Sequence, residues 1–193
     1  MPLYPQSTIP RIILSAALLA ATATAYAAAP TEGKSADEVM TRAEAQAATE
    51  HKNILVSFSA SWCGNCRLFD TFLADRKVHP IMDKAFVFAD LDTGERANDA
   101  RHANIPGGPE VQAALGGKSA GFPYLVMLDP SGKPIADSKR PAKLAHPGNI
   151  GYPDAPWEID WFMEMLKKAA PSLSSQDTAT IRAWLTAHST TQH

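Results

Sequence analysis

Residues 54–66 read Ile54-Leu55-Val56-Ser57-Phe58-Ser59-Ala60-Ser61-Trp62-Cys63-Gly64-Asn65-Cys66, and the two halves of this stretch follow different periods. Ile54 to Phe58 is β-branched or large and almost wholly apolar, the composition of a strand buried at the centre of a sheet. From Gly64 to Arg76 the apolar residues Leu68, Phe69, Phe72 and Leu73 recur at helical spacing. The sequence therefore predicts strand, turn and helix, with Cys63 at the helix N-terminus and Cys66 one turn inside. These are the only 2 cysteines among 193 residues, so a disulfide-knit scaffold is excluded.

A thiol at a helix N-terminus is stabilised as thiolate by unpaired backbone N–H groups and by the helix dipole. The helix also brings Cys66 back within reach of Cys63, while Gly64 leaves Cys63 sterically open and Trp62 offers an apolar platform beside it. That arrangement suits thiol–disulfide exchange, with Cys63 attacking and Cys66 resolving. An inert disulfide or two free buried thiols is the bland alternative, although so short a loop gains little by closure entropy. A third reading takes Cys63, Cys66, His79 and Asp83 as metal ligands, since their spacing approaches that of a zinc finger. Such fingers place the Cys pair in a hairpin, whereas this pair opens a helix.

Working outward, residues 37–52 carry Val39, Ala43 and Ala47 at helical spacing, with Ser35 or Asp37 as the cap. His79-Pro80 is expected to break the helix that follows Cys66. Phe86 to Asp92 predicts a second strand. Residues 93–121 are rich in Gly and Pro and form an irregular insertion, with a brief helix at 110–115. Phe122 to Leu128 reads as a third strand, the turn Asp129-Pro130-Ser131-Gly132 follows, and 133–138 reads as its antiparallel partner. After a Pro/Gly-rich connector, 157–170 predicts a helix with Trp161, Met165 and Leu166 inward. A last helix from Ser174 or Ser175 to Thr186 buries Ile181, Trp184 and Leu185. This order implies an α/β fold, a mixed sheet with helices on both faces, in a single domain over 30–193 with a helical C-terminal region at 157–188.

Residues 1–29 are expected to be a signal peptide. Arg11 is the one charge before Ile12, the apolar core is too short to span a bilayer, and Ala25-Tyr26-Ala27 and Ala27-Ala28-Ala29 fit the small-residue cleavage rule. Cleavage after 27 or 29 implies a periplasmic or secreted protein with no membrane span left. Lys plus Arg total 18 against 20 acids, a net charge of −2 that offers nothing to a nucleic-acid backbone. Gly116-Gly117-Lys118-Ser119 lacks the strand and upstream Gly of a phosphate loop. Asp90 and Asp92 read as a solvated strand end, and Trp157, Trp161 and Trp184 as core.

The run Val56 to Cys66, the strand Phe86 to Asp92 and the string Gly121-Phe122-Pro123-Tyr124-Leu125-Val126-Met127-Leu128-Asp129 together resemble the thioredoxin superfamily. The resemblance covers about 37–138 plus the helix from Trp157. It implies a thioredoxin-like three-layer fold with an added C-terminal helix, and a redox-active Cys63–Cys66 disulfide. Cys63 would be the exposed nucleophile, Cys66 the resolving thiol, and Pro123 a cis-proline facing them. The Phe122 backbone would pair with an extended substrate, flanked by Trp62, Gly64 and Asn65. No cofactor or metal is implied, and the partners are protein thiols and disulfides with a separate redox partner; a monomer is expected. Asn65 stands where cytosolic thioredoxins carry Pro, and Ser57 where they bury an Asp. The pattern is nearer to exported thioredoxin-like proteins, with reductase, isomerase and oxidase directions all open. A client-binding module that does not need its cysteines is the alternative from another class.

Overall fold

A computed structural model describes residues 34–99 and 102–191; the expected signal peptide lies outside them. The elements in chain order are α1 (Ala36–Glu50), β1 (Asn53–Ser59), α2 (Gly64–Ala74), α3 (His79–Asp83), β2 (Phe86–Asp92) and α4 (Gly108–Ala114). They continue with β3 (Tyr124–Leu128), β4 (Pro134–Asp137), β5 (Lys139–Arg140), β6 (Gly148–Asn149), α5 (Pro156–Ala169) and α6 (Ser175–Ala187). This is the mixed α/β, thioredoxin-like architecture implied by the sequence, with a helical C-terminal pair.

The main sheet runs β2-β1-β3-β4. β1 pairs parallel with β2 and antiparallel with β3, and β3 pairs antiparallel with β4. Side-chain alternation sorts the strands into two cores. Ile54, Val56 and Phe58 of β1 join Val87, Ala89 and Leu91 of β2 against Val39, Ala43 and Ala47 of α1. Leu55, Phe86, Leu125 and Met127 face the opposite side, against Phe69 and Phe72 of α2, Phe162 and Leu166 of α5 and Ile181 and Leu185 of α6. Ser35 caps α1 by accepting the Glu38 N–H at 3.3 Å.

Several sequence-based boundaries shift for identifiable reasons. α2 ends at Ala74, before His79-Pro80, because Asp75 turns extended and its side chain accepts the N–H of Lys77. Pro80 instead opens α3, where a missing N–H costs nothing. Leu68 points to solvent at 36% exposure, so Phe69 and Phe72 carry the buried side of α2. On α5 the deep aromatic is Phe162, edge-on to Phe69 and Phe72, while Trp161 is only half-buried and donates Nε1–H to Asp137 O at 3.1 Å. Trp184 is also half-buried, stacked on His188. The connector at 139–156 holds a small antiparallel ribbon, Lys139 opposite Asn149 and Arg140 opposite Gly148. Among the described residues no helix is long and apolar enough to cross a membrane.

Phe162 is fully buried between two helices. Phe162→Ala should cost about 3–5 kcal/mol of stability in urea unfolding of the oxidised protein, whereas Leu68→Ala should stay within about 0.5 kcal/mol. Equal losses would contradict this packing.

Candidate active site

β1 delivers the chain to the cysteines. Beyond Ser59 the strand ends, Cys63 takes an extended conformation as the N-cap of α2, and its Sγ accepts the Cys66 N–H at 3.0 Å. Cys63 and Cys66 are joined by a disulfide with Cα atoms 5.3 Å apart. The expectation of an open Cys63 is corrected: both cysteines are 4% exposed in the disulfide form. Ala60 and Phe122 pack with the two cysteines in one small apolar cluster. Gly64 and Asn65 are themselves exposed.

β3 delivers the opposite wall. The Phe122–Pro123 peptide bond is cis, as the resemblance implied. Phe122 meets the Trp62 ring edge-on, with centroids 6.2 Å apart. Trp62 is 45% exposed, yet its indole is fixed: Nε1–H donates to Gly94 O at 2.7 Å and the Arg96 guanidinium lies 5.1 Å from the ring centroid.

Further contributors to this site had no signal in the sequence. The Glu95 carboxylate accepts from the Ser61 N–H and, at 2.8 Å, from Ser61 Oγ, while Arg67 donates to Ser61 O at 3.1 Å. The insertion after β2 thus clasps the turn that carries Trp62. Gly94 permits it, because a Cβ there would stand 2.2 Å from the Phe122 ring. On the other flank, Gly151 adopts φ +63, and a Cβ on it would lie 3.6 Å from Phe122 O and 3.9 Å from Asn65 Nδ2. Asn149 ties down the strand entrance, donating Nδ2–H to Gly121 O at 2.6 Å and to Pro123 O at 2.9 Å. Chain separation hides such contacts from any local pattern.

The zinc-finger spacing does not converge. His79 Nδ1 lies 3.0 Å from Leu73 O, Asp83 pairs with Lys52, and among the described residues no group of three or more such side chains is placed to hold a metal.

Asp90 and Asp92 are exposed at the end of β2, as a solvated strand end implies. They line a cleft of about 450 Å³ with Asp70 and His79, on the sheet face that α2 covers. Solvent reaches Asp90, yet the protein walls around it, then Asp70 and Asp92, push its pKa up to about 6. Asp92 accepts from Ser59 Oγ at 2.6 Å. Ser57 is buried, and its register neighbour on β2 is Asp90, so this face carries its carboxylate one strand over from the position filled by Ser57.

With this geometry in view, comparisons place the chain. Residues 38–130 match the thioredoxin-like family model. Chicken (Gallus gallus) thioredoxin is 35% identical over 78 residues, which cover 39% of this chain and 69% of the relative. The chain belongs to the thioredoxin superfamily. Protein disulfide-isomerase from barley (Hordeum vulgare) is 33% identical over 87 residues, 44% of this chain. The match spans 14% of the barley protein's length, and likewise 14% of the wheat (Triticum aestivum) relative. A solved disulphide isomerase from Xylella fastidiosa Temecula1 superposes with TM-score 0.46 at 22% identity, covering 78% of this chain and 88% of that one.

The raised pKa of Asp90 fixes the sign of a pH effect. Its proton is held in the folded state to about pH 6 but lost near pH 4 when unfolded, so its ionisation lowers stability as pH rises from about 4 to about 6. Asp90→Asn should raise the melting temperature by about 2 °C at pH 7.5, with the gain vanishing near pH 4. Equal gains at both pH values would contradict this.

Proposed function

We propose that this protein is an exported thiol–disulfide oxidoreductase that exchanges disulfides with protein thiols through Cys63 and Cys66. One observation carries the reading: the Cys63–Cys66 disulfide caps the N-terminus of α2 and packs against Phe122. The helix dipole and the Cys66 N–H aimed at Cys63 Sγ both favour negative charge on that sulfur, which supports Cys63 as the attacking thiolate.

In the reduced protein the Cys63 thiolate attacks a substrate disulfide, forming a mixed disulfide and expelling one substrate thiolate. Cys66 then gives up its proton and attacks Cys63 Sγ, which releases the second substrate thiolate and closes the Cys63–Cys66 bond. Two electrons pass to the substrate, and the same path runs backward to oxidise thiols. Phe122 and Pro123 are the edge along which an extended substrate segment would lie, between Trp62 and Asn65. Whether reduction, isomerisation or oxidation dominates depends on the potential of the couple and on the separate partner that recycles it. Export is expected from residues 1–29, with a periplasmic or secreted destination. No metal or other cofactor takes part in the exchange.

Cys66→Ser should accumulate mixed disulfides on Cys63, visible as thiol-sensitive bands on non-reducing gels and raised at least about tenfold over wild type. Cys63→Ser should trap none. Equal trapping would reverse the two roles, and no trapping by either variant would favour a client-binding module.

A further inference from the structure

Phe122 sits between two carbonyls that are both already engaged. Asn149 Nδ2 donates to Gly121 O at 2.6 Å and to Pro123 O at 2.9 Å. An Asn side chain has two amide hydrogens, so its donor capacity is spent on the residues flanking Phe122. Its Oδ1 accepts from Ser138 Oγ at 2.6 Å, and that hydroxyl oxygen in turn accepts the Leu125 N–H at 2.9 Å. Ser138 is fully buried, and its backbone pairs with Leu125 O at 2.9 Å and with the Ile150 N–H at 3.0 Å. The amide is therefore locked in orientation from behind. The Phe122 N–H and C=O take no part in any of these bonds, and Gly151 keeps the approach to the carbonyl free of a side chain.

From this geometry we infer that Asn149 is a positioning residue for polypeptide substrates, holding the Phe122 backbone edge in the one orientation at which an extended segment can pair with it beside Cys63. The inference rests on the oxidoreductase reading above and deepens it. Peptide pairing needs an aligned N–H and C=O as well as an accessible sulfur, whereas a small disulfide needs only the sulfur. Loss of the Asn149 amide leaves Gly121 O and Pro123 O without their donor and lets the edge turn. The consequence falls on discrimination between polypeptide and small disulfides.

The test is single-turnover oxidation of the pre-reduced protein by two disulfides, insulin and bis(2-hydroxyethyl) disulfide, followed by tryptophan fluorescence. Each turnover moves two electrons and two protons from Cys63 and Cys66 to one substrate disulfide, giving two substrate thiols. Asn149→Ala should lower the ratio of second-order rate constants, insulin over small disulfide, about tenfold. Its half-saturating insulin concentration should rise, with the limiting rate moved much less. Ser138→Ala, which frees the amide from behind, should shift the ratio in the same direction by about threefold and keeps the test open if Asn149→Ala fails to fold. An unchanged ratio in a folded variant, or a limiting rate that falls equally for both disulfides, overturns the inference while leaving the oxidoreductase reading intact. Wild-type protein that reacts with neither disulfide overturns both.

Discussion

The antiparallel pairing of β1 with β3 puts the exit of one strand beside the entrance of the other. Its last paired residues are Phe58 and Tyr124, so the chain leaving β1 toward Cys63 and the chain arriving through Phe122 and Pro123 meet at one end of the sheet. A slip of one residue would turn Leu55 and Leu125 from the α2 face to the α1 face and separate the two walls of the site. The register is held by two cores at once, because Val56 and Val126 point to one face and Leu55 and Met127 to the other. Every part of the candidate active site inherits its position from that pairing.

Peripheral elements then brace the two walls from opposite sides. The insertion after β2 reaches across through Glu95, Gly94 and Arg96 to fix Ser61 and Trp62. The β5–β6 ribbon ends in Asn149, which fixes the start of β3. Neither brace touches the sulfurs. The disulfide lies between them with both cysteines buried, Phe122 packs against it, and Trp62 meets Phe122 edge-on. Beneath α2 the sheet face turns polar at its C-terminal end, where Asp90 and Asp92 face Asp70.

The strands were legible because Ile54 to Phe58 and Phe86 to Asp92 have no competing period and end in polar or turn residues. The Cys pair was legible from its place at the strand-to-helix junction, and the cis bond before Pro123 only through family resemblance. What could not be read are contacts between distant segments. Phe162 and Trp161 are adjacent and both aromatic, and only the approach of Phe69 and Phe72 decides which one is buried. Glu95 lies 34 residues from Ser61, and Asn149 lies 26 from Pro123. Polar side chains in loops carry no periodicity that would announce such partners. The exposure of Asp90 and Asp92 was readable from the polar end of the strand, but the pKa of Asp90 depends on where Asp70 and Asp92 fall in space, which no local pattern records.

Reactivity at this site turns on one physical property, the stabilisation of negative charge on Cys63 by the N-terminus of α2 and by the Cys66 N–H. The most direct measurement is a pH titration of thiolate absorbance at 240 nm in the reduced protein, with Cys66→Ser as the background that isolates Cys63. A Cys63 pKa at or below about 7, well under the ordinary thiol value near 8.5, is the expected result. A value at or above about 8.5 would mean that the helix terminus does not activate this sulfur, and would contradict Cys63 as the attacking thiolate.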